Sequence, residues 1–280
     1  MRALCLIALI AAAEAFAAAG PKIFATPEAA VEEFVVAARA RDVKQLLVIL
    51  GPEAKGLVGP GEARGRFIRA YDEARSIETT GSRAVLVVGR QEWPFPIPLV
   101  KDGAGWRFDT AAGKAEILNR RIGQNELSAI KAALAYADAQ REYYLRNPPN
   151  DKLLQYAQRI ISTQGKRNGL YYPVKSGEPP SPLGALHAHP KGEPYHGYHY
   201  RVLKAQGPDA PGGAYSYVAN SKMIGGFALV AYPAKYGASG VMTFIVSHEG
   251  VVYEKDLGPD TATLAGKMTR FNPDASWKRH

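Results

Sequence analysis

The stretch RAVLVVGRQEWPFPIPLVKDGAGWRFDTA, residues 83–111, decides the fold class. Its apolar residues alternate or run in short blocks bounded by Gly and Pro, which is the pattern of strands rather than helices. Three strands are expected, at 83–89, 94–100 and 105–111, with KDGAGW closing a hairpin between the last two. Pro94, Pro96 and Pro98 fall at every second position, so their side of the strand should face an edge or solvent. The preceding residues follow a different period. In TPEAAVEEFVVAARARD, Thr26 caps a helix, Pro27 suits its first position, and Val31, Phe34, Val35 and Ala38 make one apolar stripe. Asp42 caps a second helix, VKQLLVIL, that stops at Gly51-Pro52, and a third is expected over 64–75. Helices followed by antiparallel strands make residues 20–122 an α+β domain.

Residues 123–280 repeat that order. NELSAIKAALAYADAQREYY (125–144) reads as a long helix, broken by NPPND. Asp151 is placed to cap another helix in which Leu153, Tyr156, Ala157, Ile160 and Ile161 share the helical period. A long Gly/Pro-rich connection follows. Strands are then expected at 197–206, 225–234, 241–247 and 251–257, with a tight turn at His248-Glu249-Gly250 and a short helix over 260–268. The whole is α+β, with two domains of helices packed on antiparallel sheets.

Residues 1–19 have the form of a Sec-type signal peptide: Arg2, a short apolar run, then small residues suited to cleavage. The expected location is periplasmic or secreted. The single cysteine, Cys5, lies in that leader, so no disulfide and no thiolate ligand is expected in the mature chain. No later stretch has the length and apolarity of a membrane span. The net charge is +9, most of it on residues 123–280, dispersed and without long basic runs. Such a field suits an anionic envelope polymer or a membrane surface, or simply solubility, and nucleic acid is not expected.

Four histidines draw the eye. His187 and His189 precede EPYHGYHYRV (193–202), which holds His196 and His199. On a strand, His196, Tyr198 and Tyr200 would share one face and His199 and Arg201 the other, so the i,i+3 histidine pair cannot hold one ion. A metal site would need His187, His189, His196 and His248 folded together. In the first domain a carboxylate beside aromatic rings could titrate high and act as a base. The candidates are Asp109, with Glu92 and Asp72, beside Trp93 and Tyr71. Ser128 with Lys131, and Lys175-Ser176-Gly177, match two boxes of penicillin-binding enzymes, but the second falls in a Pro/Gly-rich loop and the third box is missing. Phosphate-loop, dinucleotide and zinc-protease motifs are absent, and no cofactor is expected.

TPEAAVEEFVVAARARDVKQLLVIL with strands ending in PLVKDGAGWRFDT resembles nuclear transport factor 2-like domains, which curve a sheet around a pocket. SGVMTFIVSHEGVVYE, behind HGYHYRV and GGFALVAYP, resembles the globular half of pilins and pseudopilins, though the polymerising helix and prepilin motif of those proteins are missing. Over nearly its full mature length the chain resembles domain-of-unknown-function family 2950. WPFPIPLVKDGAGWRFDTAAG, EILNRRIGQNEL, YHGYHYRVLKAQGPDAPGGA and GGFALVAYPAKYGASGVMTFIV carry that resemblance, which implies no particular activity. The leading expectation is a non-catalytic envelope protein that binds a protein or polymer partner. The alternatives are an enzyme or small-ligand binder using Tyr71, Trp93 and Asp109, and a histidine metal site. In the second domain the candidate contact residues are His196, Tyr198 and Tyr200.

Overall fold

The computed structural model describes residues 20–58, 61–184 and 193–280; the expected leader, His187 and His189 lie outside them. The fold is α+β, in two compact units that divide between Ile117 and Leu118.

In the first unit, α1 (Pro27–Ala40) begins at Thr26, whose hydroxyl accepts from the Ala29 N–H. Arg41 ends it in the left-handed region, and α2 (Val43–Leu50) starts from Asp42, which accepts from Gln45 N. A 3-10 turn (Pro52–Ala54) follows, then α3 (Gly61–Glu73). The sheet runs β1 (Arg75–Thr80), β2 (Arg83–Val88), β3 (Trp93–Pro94), β4 (Leu99–Asp102) and β5 (Gly105–Phe108). All pairs are antiparallel, in the order β1-β2-β4-β5, with β3 also on β2. The strand expected at 94–100 is therefore two pieces. Pro94 is exposed as its spacing suggests, but Pro98 is buried, because the chain leaves the ladder there and the Pro98 carbonyl accepts from Asp109 N. RSIETT, which forms β1, is nearly all exposed, so it lacks the apolar alternation by which a strand is recognised. Phe34 centres the core, with ring centroids 5.2–5.6 Å from Phe67, Phe95 and Phe108.

The long helix starts earlier than its apolar pattern suggests. α4 runs Thr110–Arg146, because Asp109 ends β5 and accepts from Ala112 N. Thr110 is buried and donates to the Leu50 carbonyl. Gly113 is required where α4 passes Ile97, since a Cβ would lie 2.6 Å from the Ile97 side chain.

In the second unit the strands are β6 (Tyr198–Leu203), β7 (Ala205–Gln206), β8 (Tyr215–Ser216), β9 (Val218–Ala219), β10 (Lys222–Met223), β11 (Ala228–Pro233), β12 (Met242–Ser247) and β13 (Val252–Asp256). Helix α5 (Thr261–Lys267) and β14 (Lys278–Arg279) complete it. The main sheet is antiparallel in the order β14-β13-β12-β11-β6, while β7 pairs β8 and β9 pairs β10. The core is its central strands with Tyr136, Tyr143 and the alanines of α4. Glu126 on α4 accepts from Val241 N and Met242 N at 2.9 and 3.0 Å, and Asn125 donates to Ser239 O, so both hold the β11–β12 connection. Arg201 donates to the carbonyls of Ala265 and Met268 at the C-terminal end of α5.

The helix expected after Asp151 does not form. Its backbone groups are taken by distant partners instead: Tyr156 N donates to Met223 O and Ala157 N to the side chain of Gln140. The helical spacing of Tyr156, Ala157 and Ile160 arises because an irregular segment lies across a core.

Candidate functional site

The segment from Asn147 to Leu183 is held by three clasps. Asn147 first closes the turn after α4: its amide donates to Asp151 O and accepts from Asp151 N, with Asn147 and Asn150 in the left-handed region that Asn tolerates. Gln140, wholly buried on α4, then pairs its amide with the Ala157 backbone in both directions, 2.8 Å each way. The same Nε2 lies 2.9 Å from the Tyr136 hydroxyl, which donates to Ala228 O. Finally the chain folds back on itself. Leu170 N donates to Arg159 O, Tyr171 N to Ile160 O and Ser162 N to Tyr171 O. Gly169 is packed so closely that a Cβ would lie 2.7 Å from Ser162 N.

This scaffold frames a cleft of about 170 Å³. Tyr143, Pro149, Asp151, Gln155, Tyr156, Gln158, Arg159 and Asn168 line it. Lys222 Nζ sits 2.9 Å from the Asp151 carboxylate, and Gln155 donates to its other oxygen. Gln158 donates to Ser221 O and accepts from Lys204. Arg159 spends one donor, Nη1, on the Thr163 hydroxyl at 2.7 Å. Asn168 accepts from Thr163 N. Tyr156 stacks on Tyr144 with centroids 4.8 Å apart and meets Phe227 edge-on, while its hydroxyl makes no hydrogen bond among the described residues. Burial raises the Tyr156 phenol and pushes that of Tyr143 up to about 12.

A second, apolar hollow of about 40 Å³ is lined by Tyr136, Ile160, Leu183, Tyr195, Tyr200 and Leu229, among others. It holds a water or two at most.

The residues singled out from sequence take varied places. Tyr200 lines the apolar hollow, its phenol raised by burial. Tyr198 is fully buried and donates to Met242 O, with room left for its ring by Gly240. His196 does not share its strand face. Tyr195 and Tyr198 exchange backbone hydrogen bonds around His196 (φ 48) and Gly197 (φ 74), a two-residue turn of the I′ kind. The turn leaves His196 exposed, against Tyr195. His248 follows β12, its Nδ1 buried without a partner among the described residues, above Gly226 and edge-on to Tyr217 and Phe227. His248 N donates to Phe227 O and Ala234 N to Gly197 O, so His196 and His248 stand at opposite ends of β11. That is roughly 20 Å by strand rise, too far for one ion. Among the described residues no group of three His, Cys, Asp or Glu could hold a metal.

In the first unit, Asp109 caps α4, Tyr71 lies under the Arg75 guanidinium and against Phe67, and Trp93 is 45% exposed against Phe95. Asp72 pairs with Arg39. Phe67 and Phe95, at 5.2 Å, fill the space between Tyr71 and Trp93. Gln155 and Arg159 escape sequence reasoning because their segment imitates a helix and Asp151 reads as its cap, whereas Asn168 falls in the long Gly/Pro-rich connection that follows. The usable signals were NPPND and the Asn-Gly pair at 168–169.

The model of a protein family described as "Protein of unknown function (DUF2950)" matches residues 21–280. The chain belongs to this family. The match takes in both units, so the cleft and the first-unit sheet are parts of one family sequence. No curated protein and no solved structure matches the chain. No helix among the described residues is long and apolar enough to cross a membrane.

Proposed function

We propose that this member of the family is a non-catalytic binding protein of the bacterial cell envelope, exported by its leader, that holds its partner or polymer in the cleft of the second unit. One observation carries this reading: the cleft is a polar recess built on a pinned, irregular segment, which is how binding surfaces are commonly mounted on a rigid core. Its groups suit recognition more than proton transfer. Both oxygens of the Asp151 carboxylate are held, one by Lys222 and the other by Gln155, and the Gln158 amide bonds to Ser221 and Lys204. The net charge of +9 would draw anionic envelope material toward it.

The test is retention of solubilised envelope fractions by the immobilised mature chain, compared with an Arg159→Ala/Asn168→Ala variant. Material retained by the natural chain and released by the variant supports the proposal. Equal retention by both would remove the cleft from it.

A further inference from the structure

The first-unit sheet ends in a strand whose outer edge is open among the described residues. β1 pairs with β2 in an unbroken register from Arg75↔Val88 to Thr80↔Arg83, and Gly89 N donates to Ala74 O just beyond it. Ladder bonds of an antiparallel pair fall at every second residue, so Ser76, Glu78 and Thr80 use their N–H and C=O on β2. The far side of β2 agrees, because Ser82 O and Leu86 O accept from Lys101 N and Phe95 N, away from β1. The N–H and C=O of Arg75, Ile77 and Thr79 therefore point outward, and β2 is the strand that β1 pairs with. The opposite edge of the sheet is closed. There Phe24 and Trp106 exchange both backbone bonds beside β5, at 2.8 and 2.7 Å.

Edge strands are commonly blunted by proline, lysine or a bulge. RSIETT has none of these. Its arginine is drawn back toward α3, with the Arg75 guanidinium 4.7 Å from the centre of the Tyr71 ring. Ile77 is the apolar residue of the strand and packs, half-buried, at the margin of the core. The strand is also complementary to itself. A second copy running antiparallel must align its own outward groups, at 75, 77 and 79, with these. The register that sets Ile77 against Ile77 does so across 75–79. It places Arg75 opposite Thr79 and Ser76 opposite Glu78, so each charge meets a hydroxyl. The next allowed register toward the turn sets Glu78 against Glu78, and the next one away from it overlaps only 75–77.

We infer that β1 is an interface between copies of this chain: two copies pair antiparallel along it, with Ile77 on the two-fold axis, and their five-stranded sheets become continuous. The main-chain bonds supply the attraction and the two Ile77 side chains cover each other. A contact of one strand is small, so association is weak and rises with concentration. The interface lies in the first unit and is independent of the cleft.

The test is sedimentation velocity of the mature chain from about 10 µM to about 1 mM, where the sedimentation coefficient should climb from monomer to dimer. Thr79→Pro removes an outward N–H and keeps the bonds to β2, and should weaken association about tenfold or more. Ile77→Lys and Ile77→Glu leave the backbone intact and set like charges across the axis, so each alone should be monomeric. An equimolar mixture of the two should dimerise again, since position 77 faces itself only in this register. Unchanged amide exchange in β2 verifies the fold of each variant. A chain that stays monomeric to about 1 mM overturns the proposal. Dimers that survive both Thr79→Pro and Ile77→Lys place the contact elsewhere and overturn it too. Monomeric Ile77 variants that do not rescue each other overturn the pairing about Ile77.

Discussion

Replacing Gln140 by alanine should release the cleft without unfolding the sheet beneath it. The side chain is fully buried and makes three hydrogen bonds, two to Ala157 and one to Tyr136. Truncation leaves the Ala157 N–H and carbonyl without partners at a residue only 1% exposed. Each stranded group costs about 1–2 kcal/mol, and the void left by the amide adds to this. Removing a buried amide that needed its own partners returns a part, so the net loss should be about 3 kcal/mol. The segment has a cheaper escape than global unfolding, because it can lift off α4 and rehydrate. Amide exchange read by mass spectrometry distinguishes these outcomes. Peptides covering 155–171 should lose protection by a factor of about a hundred, while those of β11 and β12 keep theirs. Tyr156 and Arg159 would leave with the segment, so envelope material should no longer be retained. Gln140→Glu should behave similarly at neutral pH for a different reason. A buried carboxylate facing the Ala157 carbonyl titrates above its unfolded value of about 4.3, so its penalty is absent below that pH and grows as pH rises. If Gln140→Ala costs less than about 1 kcal/mol and leaves exchange at 155–171 unchanged, Gln140 is not what pins the segment.

Other outcomes follow from single contacts. Gly240→Ala places a Cβ 2.1 Å from the Tyr198 hydroxyl, which must then leave Met242 O; a loss of about 2–3 kcal/mol in thermal unfolding is expected, where a merely permissive glycine would cost under 1. Phe34→Ala should cost about 3–5 kcal/mol and raise amide exchange in the first-unit sheet, because four aromatic rings meet there. Alkaline titration followed by tyrosinate absorbance should show a late-ionising group of phenols, Tyr143 near 12 and Tyr136, Tyr198, Tyr200 and Tyr217 only on unfolding. Burial holds these phenols neutral, so their contribution to stability is complete below about pH 10 and is lost as pH rises through the folded values. A single transition near 10 would contradict their burial.

The sequence by itself determined the α+β class and most of its regular elements. Thr26 and Asp42 announce α1 and α2 because a capping oxygen before an apolar period has few other uses. The apolar runs at 83–88, 198–203, 228–233, 242–247 and 252–256 became strands because each packs one face, or both, into a core. What was legible is local: a cap, a period, a turn residue. Of the cleft almost nothing was legible. Residues 153–161 carry a helical period, and only Gln140, many positions earlier on α4, claims the Ala157 backbone and so denies it to a helix. His196 was likewise assigned a strand face, and the paired hydrogen bonds of Tyr195 and Tyr198 turned it out into a tight turn. Asp151 reads as a cap, and only in the folded chain does the distant Lys222 take its carboxylate. Local spacing sets which elements form. Competition among distant groups for the same buried hydrogen bonds and charges decides where a site is, and that competition exists only once the chain is folded.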